Sequence, residues 1–299
     1  MVCGVFVPVP TFFNDDESID FETQVKHAQF LKDNGISGIT LLGSTGENVH
    51  LTAKERVEIV KSIHDGVADF PIVAGVAQNC LSDAKDEIKR LADSGASYAL
   101  VLPSSYYGAG ITQEALVEWY TNVADFSPIP VLIYVYPGVT NGVSVAPSTI
   151  KTLSKHSNIK GIKFSHNDVT AYSEVSLDEE ITDFDCLTGL GHLFLPALSV
   201  GFKGTVDAIA GAFPKIYVSL YKAFEKGDLK TAKALQLSII RVEKIVAEFG
   251  VIGIKRIIHE VGFGKNYLGR SPLNKDTSTG WERMSNYIQE VKTIEAKLA

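Results

Sequence analysis

Cysteine is scarce: Cys3, Cys80 and Cys186 are the three in the chain, far apart and without a Cys-x-x-Cys pair. An odd, scattered set supports neither a disulfide framework nor a zinc ribbon. Positive charge is also in deficit, with 28 Lys and Arg against 35 Asp and Glu and a formal net charge of −7. Nothing supplies a basic footprint, so neither nucleic acid nor an anionic membrane is expected as a partner, although a local positive pocket for a small anion stays open. No apolar run approaches the ~18 residues that a membrane-spanning helix needs. The opening Met-Val-Cys-Gly-Val-Phe-Val-Pro has no basic segment and no long apolar one, and no Asn-x-Ser/Thr acceptor occurs. A cytoplasmic, reduced protein is therefore expected. The histidines (His27, His50, His64, His156, His166, His192 and His259) form no His-Glu-x-x-His pattern and no close cluster, so no metal site is expected. Phosphate-loop signatures are missing, and Gly189-Leu190-Gly191 breaks off at Phe194, where a dinucleotide fingerprint needs glycine.

What the chain does have is a core and a rhythm. Hydrophobic residues make up 45% and charged residues 21%, the balance of a globular protein. Short apolar runs at 4–9, 36–42, 71–75, 98–102, 130–135, 159–165, 185–188 and 204–207 read as strands. Helices fit between most of them. Asp20 caps one over 21–34 with Gly35 as the stop, and Thr52 with Glu55 forms a capping box for one ending near 66. Others fit 82–94, 115–123 and 147–154. Strands spaced roughly 20 to 35 residues apart, each a near-continuous apolar run, are the mark of parallel βα units. Eight of them predict an α/β fold, a closed (β/α)8 TIM barrel. An open doubly wound sheet is the rival, but its Gly-rich first turn is replaced here by Pro10-Thr11-Phe12-Phe13. Beyond the eighth strand, 215–226, 228–249, 252–261 and 281–297 read as helices, joined by a Gly/Pro/Ser-rich linker at 262–280. The expected division is a barrel domain over 1–225 and a C-terminal helical extension over 226–299.

In such a barrel, chemistry sits at the C-terminal ends of the strands. The sixth strand ends with Lys163. A lysine there either snorkels or pairs with a carboxylate, or it is a sheltered amine able to attack a ketone. After strand two, Gly43-Ser44-Thr45-Gly46 offers hydroxyls and backbone N–H groups to a carboxylate or phosphate, or is a plain βα turn. Tyr134, at the end of strand five, is either core or a phenol that relays protons. Tyr106 and Tyr107, beside glycines after strand four, suit packing or an interface as well as catalysis.

Gly43-Ser44-Thr45-Gly46-Glu47, Tyr134-Val135-Tyr136-Pro137 and Gly161-Ile162-Lys163 occur in order across the chain. With the late stretches Phe249 to Lys255 and Gly269 to Leu273, this set resembles the dihydrodipicolinate synthase / N-acetylneuraminate lyase family of pyruvate-dependent Schiff-base enzymes. The resemblance implies a (β/α)8 barrel with a helical extension, a homotetramer built as a dimer of dimers, and a small 2-oxo acid substrate. Lys163 matches the imine-forming lysine and Tyr134 the proton-shuttling tyrosine. Ser44 and Thr45 match the pair that holds the keto acid carboxylate. Tyr107 resembles the tyrosine inserted by a neighbouring subunit, which requires at least a dimer, and Val206 matches an apolar pocket position. Gly189, just past strand seven, is placed with the substrate-binding residues. An iminium would serve as the electron sink, so no cofactor is needed.

One departure bears on the substrate. Where the synthases carry an arginine for the second substrate's carboxylate, two positions after the motif's proline, this chain has Val139. A distal anion would go unpaired there, at a cost of several kcal/mol. Hydroxyl-bearing chains fit better, with Thr140, Asn141, Ser144 and Ser165 as candidate partners. The Tyr-x-Tyr-Pro form and Pro8-Val9-Pro10-Thr11-Phe12-Phe13 resemble fungal 2-keto-3-deoxy sugar acid aldolases. The expected reaction is cleavage of such an acid to pyruvate and an aldehyde. The alternatives are a 4-hydroxy-2-oxoglutarate aldolase, a dihydrodipicolinate synthase and a catalytically silent 2-oxo acid sensor.

Overall fold

The computed structural model describes residues 2–298. Eight parallel strands close into a barrel in sequence order: β1 Gly4–Pro8, β2 Gly38–Leu41, β3 Ile72–Val76, β4 Tyr98–Val101, β5 Val131–Val135, β6 Ile159–Phe164, β7 Asp185–Thr188 and β8 Gly204–Val206. The last strand pairs with the first, Gly4 facing Gly204 and Phe6 facing Val206. Inward-pointing side chains, among them Phe6, Val73, Leu100, Leu132, Leu187 and Val206, fill the barrel. The outward ones join the helices in a second, larger core. Covering the strands on both faces is what makes parallel pairing stable, and it explains their near-continuous apolar sequences.

The surrounding helices are α1 Phe21–Asp33, α2 Ala53–Gly66, α3 Leu81–Asp93, α4 Gln113–Phe126, α5 Pro147–Leu153, α6 Val169–Ser176, α7 Phe194–Ser199 and α8 Pro214–Glu225. Their starts are set by side-chain caps: Asp20 accepts from the Thr23 N–H, and Thr52 and Glu55 cap each other's backbone in a capping box. α6 and α7 fall where the sequence reading places no helix.

The C-terminal extension holds α9 Leu229–Val242, α10 Lys244–Glu260 and α11 Ser285–Glu295. The expected helix over 228–249 is interrupted at Glu243, and α10 is broken again at Gly250, whose φ of 54° and ψ of −140° are non-helical. A glycine tolerates that conformation at little cost. The break lays 250–254 against the barrel mouth. Among the described residues no helix is long and apolar enough to cross a membrane.

Candidate active site

A register slip turns the lysine inward. Val131 on β5 pairs with Ile159, but Leu132 pairs with Gly161, leaving Lys160 as an extra residue. Side chains alternate along a strand, so one inserted residue exchanges the two faces. Ile159 packs into the outer core, and after the slip Ile162 and Phe164 do the same. Lys163 is thereby set between Tyr134 and Leu187 on the neighbouring strands, both of which fill the barrel interior.

Lys163 is 5% exposed. Its Nζ donates to Tyr134 Oη at 3.2 Å and sits 4.4 Å from the ring centroid. The partner is a phenol rather than a carboxylate, the setting of a nucleophilic lysine and not of a structural ion pair. Gly189 gives the side chain room: a Cβ there would lie 2.7 Å from Lys163 Cε and 2.2 Å from Ser165 Oγ.

A cavity of about 150 Å³ opens above this contact, with Ser44, Thr45, Tyr134, Lys163, Gly189 and Val206 in its wall. A larger one of about 400 Å³ shares Ser44, Tyr134 and Tyr136 and runs outward past Asn79, Ser105 and Val139. The two together offer a carboxylate-sized turn beside the amine and a channel to the surface. Burial, with a smaller contribution from Tyr134, raises the Tyr136 phenol above its usual range.

Most of the residues singled out in the sequence therefore meet in one wall, and Val139 borders the larger cavity. Tyr107 lies in neither cavity. It is 78% exposed and stacks edge-on against Tyr106 at 5.2 Å. Of the proposed hydroxyl partners, Ser165 lines the small cavity. Thr140, Asn141 and Ser144 line neither cavity, and the Thr140 hydroxyl and the Asn141 amide bond within the loops instead. Thr140 Oγ1 is engaged by the Tyr136 and Val143 carbonyls, Asn141 Nδ2 donates to the Tyr106 carbonyl at 3.4 Å, and the Ser144 carbonyl accepts from Gln113 at 3.0 Å.

The Ser44–Thr45 turn is anchored from below. Glu47 is buried, and Lys255 Nζ donates to it at 2.8 Å from the broken helix α10. The Arg270 N–H reaches the other Glu47 oxygen at 3.3 Å, and Lys255 lies 4.6 Å from the centroid of Phe13. Burial lowers the Lys255 ammonium from its usual range and Glu47 pulls it back up. So the late sequence motifs hold the Ser44–Thr45 turn in place. Two acids given no role in the sequence reading, Asp207 and Glu243, also reach the small cavity. Asp207 follows the last barrel strand, a signal that was available. Glu243 gave none, lying within an expected helix. Among the described residues no group of three or more His, Cys, Asp or Glu is arranged to hold a metal ion.

The model of the dihydrodipicolinate synthetase family matches residues 1–291. A 4-hydroxy-tetrahydrodipicolinate synthase of Haloarcula marismortui is 32% identical over 291 residues, 97% of this chain and 94% of that protein. An L-threo-3-deoxy-hexylosonate aldolase of Hypocrea jecorina is 28% identical over 309 residues, 99% of this chain and 98% of that protein. Among solved structures, YagE of E. coli K12, a prophage protein of the dihydrodipicolinic acid synthase family in complex with pyruvate, superposes with a TM-score of 0.90. It is 25% identical, and the match covers 98% of this chain and 99% of that one.

Proposed function

The chain belongs to the dihydrodipicolinate synthetase family, and on that premise we propose that it is a Schiff-base aldolase cleaving a 2-keto-3-deoxy sugar acid to pyruvate and an aldehyde. The observation that carries this is the Lys163–Tyr134 contact, sheltered in the barrel and facing a cavity that Ser44 and Thr45 also wall. The fungal aldolase relative supports the choice of reaction.

In this scheme Ser44 and Thr45 hold the keto acid carboxylate while the Lys163 amine attacks the C2 carbonyl. Tyr134 passes a proton to the carbinolamine hydroxyl, water leaves, and an iminium remains. The C4 hydroxyl then gives up its proton to Tyr134, the C3–C4 bond breaks, and its electron pair moves into the iminium to form an enamine. Aldehyde departs, Tyr134 returns that proton to C3, and hydrolysis of the imine returns pyruvate and the free lysine, its last proton going back to Tyr134. The positioned base contributes ~10²–10⁴-fold. We assign Tyr107 to a partner subunit's site in a tetramer, since its exposed ring is free to reach across an interface.

A second reading, a condensing synthase, is favoured by the 32% identity to the Haloarcula protein. It is opposed by Val139, an apolar side chain where that chemistry calls for a cation. A panel of 2-keto-3-deoxy acids with coupled detection of pyruvate separates the two. Pyruvate release from a hexonic acid is expected. Pyruvate consumption with aspartate semialdehyde, and no cleavage of any panel member, would overturn the aldolase reading in favour of the synthase.

A further inference from the structure

Asp207 and Glu243 stand in the wall of the cavity that holds Lys163. Asp207 directly follows β8, and Glu243 fills the junction between α9 and α10. They are 2% and 6% exposed. Asp207 Oδ2 and Glu243 Oε1 both border the same point, each 2.9 Å from where a Cβ on Gly191 would fall, and two carboxyls so close and so buried favour holding one proton between them. Gly191 N–H donates to Asp207 Oδ2 at 2.7 Å, Ile209 N–H to Oδ1 at 3.0 Å, and Tyr217 Oη to Glu243 Oε1 at 2.9 Å. None of these partners is a cation. The other titratable groups facing the pair are His192, in the turn after β7, and Lys163 in the same cavity wall. Burial first, and Asp207 second, hold the Glu243 carboxyl well above the usual carboxylate range. Burying two acids without a cation costs stability, so stability is not what this pair supplies.

The path from the lysine to the pair runs along Gly189-Leu190-Gly191. As Gly189 lies against Lys163, so Gly191 lies against the acids: a Cβ there would fall 2.9 Å from both Asp207 Oδ2 and Glu243 Oε1. Two residues of extended chain span at most ~7 Å, a few carbon–carbon bonds. A keto acid fixed at C2 by Lys163 and at its carboxylate by Ser44 and Thr45 has its far end left to place. Once those groups and Tyr134 are engaged, the polar side chains remaining in the wall are Tyr136, Ser165, Asp207 and Glu243.

Resting on the aldolase reading, we propose that Asp207 and Glu243, carrying one proton between them, bind the hydroxyls of the substrate beyond the scissile C3–C4 bond. The shared proton stays between the two carboxyls, and their remaining lone pairs accept from the substrate hydroxyls. The residual negative charge turns away a distal carboxylate, so that 4-hydroxy-2-oxoglutarate is disfavoured.

The test compares initial rates on a 2-keto-3-deoxyhexonate and on 4-hydroxy-2-oxobutanoate, which lacks the distal hydroxyls. Wild type, Glu243→Gln and Asp207→Asn are assayed, with borohydride trapping of pyruvate alongside. Wild type is expected to favour the hexonate. Each variant should lose ~10–100-fold in kcat/KM on it, the worth of a hydrogen bond to a charged group. Rates on the short acid and pyruvate trapping should change little. Equal losses on both substrates, or a wild type indifferent to the distal hydroxyls, would overturn the proposal. The wild-type comparison needs no variant, so indifference to the distal hydroxyls overturns the proposal even if a substitution prevents folding. Failure of wild type to trap pyruvate would count against the imine reading instead.

Discussion

At the scale of single residues, the amine of Lys163 meets a phenol at 3.2 Å and bare backbone at Gly189. Both neighbours can be tested. Tyr134→Phe removes the proton relay but leaves the ring against the amine, and kcat should fall ~10²-fold or more while the fold is kept. A loss below tenfold would place the relay elsewhere. Gly189→Ala inserts a methyl 2.7 Å from Lys163 Cε. Pyruvate trapping should slow markedly while far-ultraviolet circular dichroism stays unchanged, whereas normal trapping would show that the side chain does not need that space. The residues that meet at the small cavity were legible because each stands at or just past a strand end, most of them in an ordered motif. Thr140 and Asn141, expected to meet substrate hydroxyls, bond within the loops instead. Thr140 and Asn141 are turn formers whose side chains satisfy backbone groups first. The inward aim of Lys163 depends on the slip at Lys160, which periodicity cannot show.

Among the elements, the loop after β2 and the broken helix α10 are joined by the buried Glu47–Lys255 pair. Removing one partner strands a charge, so Lys255→Met should cost ~3–5 kcal/mol, and adding Glu47→Gln should restore much of it. Denaturant midpoints of the single and double variants check this; a single variant within ~1 kcal/mol of wild type would contradict it. Helix α1 docks on the barrel through His27, whose Nε2 lies 2.8 Å from the Gly211 carbonyl among Phe12, Phe30 and Phe263. Burial pushes this imidazole down to about 4, against a small rise from that carbonyl. Between pH 6.5 and about 4 the unfolded chain therefore binds a proton that the native state refuses, so stability falls as pH falls. At ~1.4 kcal/mol per unit, wild type should lose about 2–3 kcal/mol across that window. His27→Gln should show a flatter profile, and parallel profiles would remove His27 as the cause. Helices with a side-chain cap and a long apolar stripe were readable from sequence. α6 and α7 were not: at eight and six residues, the latter with Pro196 inside, they are too short for a helical period to show, and they lack the proline at the first position that marks the equally short α5.

For the molecule as a whole, the alternation of strands and helices announced the closed barrel, since eight parallel apolar runs leave few other ways to cover both faces. Assembly is a further matter. Tyr106 and Tyr107, in edge-on contact, are each at least 75% exposed in the single chain, an aromatic patch suited to a partner subunit. Sedimentation should show at least a dimer, and Tyr107→Glu should shift it toward monomer and lower kcat/KM together. A fully active monomer would contradict the assigned role of Tyr107. Beneath all of this lies one bond, the imine between Lys163 and a 2-oxo acid. Incubation with pyruvate and borohydride followed by intact-mass measurement should add one reduced pyruvate per chain in the wild type and none in Lys163→Ala. No adduct in the wild type, or the same adduct in the variant, would contradict the account.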